Sequence, residues 1–487
     1  MTLMRKILFV VSEVYPLMKT GGLGDVSAGL AQALTGLGDD VRVLMPGYHD
    51  SLKQAGTLKP VAEITLPSAP SVRLLETLLP GTRIKTWLID FPPAYDRPGN
   101  PYQNAQGQDW PDNAERFALL ARVAVAICDG IPGLDWKPTL VHCHDWQAGL
   151  VPVLLNAQPA RPATVFTIHN LAYQGLFSYD TFLGLDLPVS LWTLDGIEFH
   201  SQMSFIKGGI NFADRVTTVS PSYAREIQTA EFGHGLDGLL RHRAAVLSGI
   251  INGIDTKIWN PQHDQTLAAT YNAHRLGVGK AANKAALQNE LGLANEAHTP
   301  LLGIVSRLVH QKGIDLFIEA LPVLLEKSLQ CVVLGTGESD YQQALRDLAQ
   351  RYPKQLAVYI GYDEALAHRI IAGADFFLMP SRFEPCGLTQ FYSLRYGTIP
   401  IARRIGGLND SVVDTNDATL ANDSATGVLF DAANSAALVQ AVNRGLELYQ
   451  QRRVWQALRR RGMRQDFSWR RSAAEYQTLY DELLVMP

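Results

Sequence analysis

Glu384 stands in the stretch Pro380-Ser-Arg-Phe-Glu-Pro-Cys-Gly-Leu-Thr-Gln390, directly after the apolar run Phe376-Phe-Leu-Met379. The run reads as a buried strand, and 387–395 reads as the helix that follows. A carboxylate at the mouth of a strand would then lie beside a helix start, whose unsatisfied N–H groups attract anions. That pairing suits transfer of a sugar off a nucleotide. Taken alone, the stretch reads better as an ordinary turn with a solvated Glu.

Other clusters bear on the choice. Lys19-Thr-Gly-Gly-Leu-Gly-Asp-Val26 brings paired glycines, which let backbone N–H groups approach a diphosphate, and a point charge at Lys19. A dinucleotide fold would need G-x-G-x-x-G directly after the strand and an acid ending the second strand. Gly21-Gly22-Leu-Gly24 does not match, and the second strand ends in Met45-Pro46. NAD binding is therefore disfavoured, and a plain glycine turn stays open. Val141-His-Cys-His-Asp-Trp-Gln147 resembles a metal cluster at first sight, but strand alternation sends His142 and His144 to one face and Cys143 to the other. No further His/Cys group completes a tetrahedron, so a polar binding edge led by Asp145 is preferred. His169 and Asn170 follow another strand and could grip sugar hydroxyls or simply complete a core.

Arg307 and Lys312 share the loop of Gly303-Ile-Val-Ser-Arg-Leu-Val-His-Gln-Lys-Gly313. Two cations at a strand's carboxyl end can neutralise a diphosphate leaving group. Solvated charges are the alternative. Tyr362, in Ile360-Gly-Tyr-Asp363, could stack on a base or pack. Cys386 reads equally as a reactive thiol or a buried packing residue.

The elements that must carry these groups alternate. Strands are expected at 6–12, 41–45, 83–91, 139–143, 164–168 and 215–219, with helices at 25–37, 112–128, 147–155 and 222–228. After a turn-rich joint at 252–261 the rhythm restarts. Strands are expected at 301–306, 331–335, 356–360, 376–380, 399–402 and 427–430, with helices at 314–325, 340–350, 364–372 and, last, 470–484. This is the rhythm of parallel sheets covered by helices. Two such units in tandem are expected to face an interdomain cleft, where ligands of such sheets bind.

Length and composition agree. A chain of 487 residues is too long for one ordinary core. Apolar content of 47% and charged content of 18% are globular values, and a net charge of −4 argues against nucleic acid or an anionic membrane as partner. Cys128, Cys143, Cys331 and Cys386 lack CxxC spacing and read as reduced thiols. No apolar run is long enough to span a bilayer, and Met1–Lys6 leads into a strand without a leader's apolar core. A cytoplasmic protein is expected.

Lys19-Thr-Gly-Gly-Leu, His144-Asp-Trp, Ile168-His-Asn-Leu-Ala-Tyr-Gln-Gly, Ser306-Arg-Leu, Gln311-Lys-Gly and Ser381-Arg-Phe-Glu-Pro-Cys-Gly-Leu-Thr-Gln together resemble the glycogen/starch synthase family that uses ADP-glucose, its bacterial branch above all. The resemblance runs from the first strand to Phe467-Ser-Trp469. It implies an α/β chain of GT-B fold, with Rossmann-like domains at 1–253 and 254–466 and a helix at 467–487 crossing back to the first. It implies a retaining transferase that moves glucose from ADP-glucose to the non-reducing 4-hydroxyl of an α-1,4-glucan, without metal or cofactor. Lys19, His169, Arg307, Lys312 and Glu384 would be catalytic. Lys19, Gly21 and Gly22 would meet the donor phosphate and sugar, and Arg307 and Lys312 the diphosphate. Glu384 would sit at the glucose, cradled by N–H groups of Cys386, Gly387 and Leu388. His169 and Asn252 would contact the transferred glucose, and Tyr362 would stack on adenine. Asp145 and Tyr102 would lie near acceptor or sugar, and Asp25, Asn170, Ser381 and Thr389 would complete the substrate-binding set. Gly24 stands where many bacterial members have Ala, and Gln147 where His is common. These differences bear on lineage and acceptor contacts, not on reaction class.

Same-face attack is the mechanism expected, with a phosphate oxygen taking the acceptor proton, in place of the two-carboxylate double displacement of retaining glycosidases. Closure about 252–261 on donor binding is expected to exclude water. The alternatives are a retaining transferase using UDP-glucose or a small acceptor, and a non-catalytic glucan-binding protein.

Overall fold

Lys6–Val10 is apolar from Ile7 to Val10, and those side chains are fully buried. Strands buried on both faces read as unbroken apolar runs, the signature of a parallel sheet under helices. The computed structural model describes residues 4–67 and 69–485. The leader-free reading of the first residues rests partly on Met1, Thr2 and Leu3, which lie outside them. The chain divides into two compact units: one runs to Gly253 and takes back the chain from Trp469 onward, the other is Ile254–Ser468.

In the first unit, Lys6–Val10 is flanked by Asp40–Pro46 on one side and Leu140–His144 on the other, both parallel. Beyond Asp40–Pro46 comes Lys85–Asp90, then the antiparallel Ala69–Leu78 and Lys59–Leu66. Beyond Leu140–His144 come Ala163–Ile168, Arg215–Thr218 and Leu247–Gly249, all parallel. The strand order therefore reverses between Lys6–Val10 and Leu140–His144. The helix Trp469–Val485 packs on Gly22–Gly36 and buries Ala473, Tyr476, Leu479 and Tyr480.

The second unit is a six-stranded parallel sheet. Numbered along the chain from Leu301–Val305, its strands lie in the order 3-2-1-4-5-6, the order of doubly wound nucleotide-binding sheets. The reversal falls between Leu301–Val305 and Phe376–Met379, which pair through Leu302–Phe376 and Gly303–Phe377. Ligands of such sheets bind beyond the carboxyl ends at that reversal.

Several elements depart from the sequence expectation. The first helix begins at Gly22, not 25, so Gly22 is its first residue and Gly21 its N-cap. The helix expected at 387–395 is Thr389–Arg395. Gly387 has φ +70°, a left-handed turn that no right-handed helix admits. The helix expected at 147–155 is a 3-10 turn, Trp146–Ala148, followed by Leu150–Asn156. Leu276–Glu290, Ser435–Gln450 and Arg452–Arg464 are helices absent from the expectation, as is the antiparallel pair Lys59–Leu66 and Ala69–Leu78.

Candidate active site

In the second unit the two loops at the strand reversal meet. Lys312 donates to both carboxylate oxygens of Glu384, at 2.8 and 2.6 Å. Ser381 donates its hydroxyl to Glu384 Oε2 at 2.9 Å. Glu384 is buried, so both oxygens are held by named partners and its charge is matched at contact distance. Gly313 makes the meeting possible. It adopts φ +65°, and a Cβ there would stand 2.0 Å from the carbonyl oxygen of Pro380. The Arg382 N–H donates to the Gln311 carbonyl at 2.8 Å, tying the same two loops again. Arg307 is exposed on the first of them and bonds the Gln311 side chain at 3.2 Å.

After Glu384 the chain turns through Cys386 and Gly387 into the short helix. Cys386 is buried, and its carbonyl and that of Gly387 accept from the Gln390 amide at 2.9 and 3.1 Å. Leu388 is the helix N-cap, and Thr389, its first residue, points its hydroxyl at the Met379 sulfur. Tyr362 follows Leu356–Ile360, is 75% exposed, and donates to Glu364 at 3.3 Å.

The first unit gathers a second set. Lys19 pairs with Asp25 at 3.0 Å, so both charges sit on the glycine turn that opens the first helix. Glu13, which the sequence reading passed over, anchors that turn. It is buried, and it accepts from the Thr20 N–H and hydroxyl and from the Tyr102 hydroxyl. Ser12 also bonds Tyr102, at 2.8 Å. The Tyr102 hydroxyl is thus committed to Glu13 and Ser12, and burial with that carboxylate pushes its pKa well up. The signal available in the sequence was a lone carboxylate just past the first strand.

Asp145 ends Leu140–His144 with φ 55° and ψ −177°, a conformation nearly confined to glycine and costing on the order of 1–3 kcal/mol. Its Oδ1 accepts the N–H groups of His169 at 2.7 Å and Asn170 at 3.4 Å. Burial raises its pKa to about 7, against the lowering effect of those N–H groups. Burial also lowers the pKa of His169 to about 3, leaving a neutral imidazole. The Asn170 side chain caps the turn at Ala172, and Asn252 is buried just past Leu247–Gly249. His142 bonds Tyr480 and Thr167 through its two nitrogens.

Within each unit, then, the chemistry-bearing residues gather at strand carboxyl ends. Residues 6–242 match the family model "Starch synthase catalytic domain", and residues 292–461 match "Glycosyl transferases group 1". In solved structures the chain is similar to the catalytic domain of starch synthase IV from Arabidopsis thaliana bound to ADP and acarbose. The TM-score is 0.88 at 34% identity, covering 99% of this chain and 100% of that one. It shares the fold of a sucrose-phosphate synthase from Thermosynechococcus elongatus, with a TM-score of 0.61 at 18% identity over 98% and 99% of the two chains. The architecture is the two-domain GT-B fold of glycosyltransferases. The chain is 54% identical over 480 residues to glycogen synthase 1 of Methylococcus capsulatus, covering 99% of this chain and 97% of that one. It is also 54% identical over 482 residues to the glycogen synthase of Thioalkalivibrio sulfidiphilus, covering 98% and 100%. The chain belongs to the bacterial glycogen synthase family.

Proposed function

We propose that the chain transfers glucose, with retention, from ADP-glucose to the non-reducing 4-hydroxyl of an α-1,4-glucan, and so elongates glycogen. The observation that carries this reading is the Lys312–Glu384 pair beside the exposed Arg307, all at the strand reversal of a nucleotide-type sheet. Cations at that reversal suit a diphosphate leaving group. Near-full-length identity to glycogen synthases, and likeness to a starch synthase bound to ADP, support ADP-glucose as donor and a glucan as acceptor.

The bond between the anomeric carbon and the phosphate oxygen breaks, and ADP leaves with the electron pair. Arg307 and Lys312 offset its charge. The acceptor 4-hydroxyl attacks from the face that ADP departs, and its proton passes to a departing phosphate oxygen. No metal or cofactor enters this scheme. Both Glu384 oxygens are engaged by Lys312 and Ser381, which supports a role in holding the lysine in place of attack on the sugar. Tyr362 stacks on adenine in this reading, and Cys386, Gly387, Leu388 and Thr389 line the donor. Lys19, Gly21, Gly22, Asp25, Tyr102, Asp145, His169, Asn170 and Asn252 serve donor sugar and acceptor. Among the described residues no helix is long and apolar enough to cross a membrane. We place the activity in the cytoplasm, with glycogen.

Chain lengthening of a maltooligosaccharide primer tests the reading. Longer oligosaccharides are expected with ADP-glucose and far fewer with UDP-glucose. Equal use of both donors would favour the UDP-glucose alternative, and no lengthening with either would refute transfer.

A further inference from the structure

Three histidines stand in a row at the carboxyl ends of Leu140–His144 and Ala163–Ile168. The rings of His142 and His144 stack at 4.2 Å, and those of His144 and His169 lie 5.3 Å apart. Both nitrogens of His142 are used, by the hydroxyls of Tyr480 at 2.7 Å and Thr167 at 2.6 Å. His144 differs. Its Nδ1 lies 3.0 Å from His169 Nε2, while its own Nε2 is buried with no hydrogen-bond partner. The reaction scheme gives His144 nothing to do.

Burial lowers the pKa of both imidazoles, so each is neutral near pH 7 and carries one proton. One N–H···N bond joins them, and it can run two ways. If His169 donated from Nε2, then His144 would carry its proton on Nε2, a buried N–H with no acceptor. If His144 donates from Nδ1, its Nε2 is a bare acceptor, and His169 must hold its proton on Nδ1. Buried N–H groups without acceptors are rarer than under-used acceptors, which favours the second arrangement. A histidine's tautomer is set by the bond its other nitrogen makes.

We propose that His144 is a positioning residue: it donates from Nδ1 to His169 Nε2 and so fixes His169 as the tautomer that presents an N–H donor at Nδ1. Among the described residues His169 Nδ1 makes no hydrogen bond. The ring is already held at its backbone by Asp145 and at Nε2 by His144, so Nδ1 is the nitrogen left for a ligand. The functional consequence rests on the proposed contact of His169 with the transferred sugar. A sugar hydroxyl meeting a fixed donor must turn a lone pair toward it, which selects one hydroxyl orientation.

Nitrogen-15 NMR of the whole chain with labelled histidine tests this, the His169 signals being assigned by their loss in His169→Asn. The expected spectrum has a protonated Nδ1 and a bare Nε2 on His169. A bare Nδ1 would overturn the proposal whatever the transfer activity, and this spectrum needs no variant of His144 to fold. His144→Asn, whose amide can donate from the same position, is expected to keep the tautomer and most of kcat/KM. His144→Leu, with no donor, is expected to release the tautomer and lower kcat/KM at least tenfold. An unchanged His169 tautomer in His144→Leu would reduce His144 to packing and overturn its role. The expected tautomer without transfer from ADP-glucose would support the role of His144 and remove the sugar contact.

Discussion

Arg307 and Lys312 share one loop, yet their removal should read differently. Lys312 is the partner of a buried carboxylate, and Lys312→Ala strands Glu384 without its counter-charge. Breaking a buried pair costs about 3–5 kcal/mol, so this variant is expected to lose stability as well as turnover. Arg307 is exposed, and Arg307→Ala should leave the melting temperature nearly unchanged while costing ~3 kcal/mol of transition-state stabilisation, about a hundredfold in turnover. Thermal unfolding and initial rates of glucan elongation measure both, and near-normal rates in either variant would remove these cations from the diphosphate. Lys312 and Glu384 were legible because their chemistry is local to motifs. Glu13 was not, because one of its hydrogen-bond partners, Tyr102, lies on a distant loop.

Gly313 decides whether the two loops of the second unit meet. A Cβ at φ +65° and 2.0 Å from the Pro380 carbonyl must push them apart. Gly313→Ala is expected to destabilise by more than ~1 kcal/mol and to lower turnover by loosening Lys312 from Glu384. A variant with unchanged melting and rate would show that the loops need no such approach. In the first unit the histidine row makes stability depend on pH. Burial lowers the pKa values of His142, His144 and His169, so their contribution is present above the ordinary 6.5 and is lost as pH falls toward the folded values. Asp145, raised to about 7, acts oppositely, its contribution being lost as pH rises through that value. Three imidazoles against one carboxylate predict a stability that falls from pH 6.5 to 5, by up to about 1.4 kcal/mol per pH unit for each imidazole, and a melting temperature that falls with it. Circular-dichroism melts across that range test it, and a flat profile would contradict burial of neutral histidines. Element by element, apolar rhythm found the strands, but Leu276–Glu290 escaped it. That helix buries Lys280, Asn283, Lys284 and Gln288, which satisfy carbonyls and a carboxylate, so its inner face reads as polar.

At the scale of the molecule, two αβ rhythms were visible in the sequence, whereas the order of strands across each sheet was not. Periodicity reports which face is buried, not which strand lies beside which. The reversal between Leu301–Val305 and Phe376–Met379 brings Lys312 to Glu384 across a long stretch of chain. The resemblance in motifs named those residues before any geometry linked them. The contact between Lys312 and Glu384 is what the sheet adds. The most direct test of the whole is transfer of labelled glucose from ADP-glucose to glycogen, followed by digestion with a hydrolase specific for α-1,4 bonds. Label is expected in the polymer and is expected to be released completely by the hydrolase, with little label from UDP-glucose. No incorporation from ADP-glucose, or label that resists the hydrolase, would contradict it.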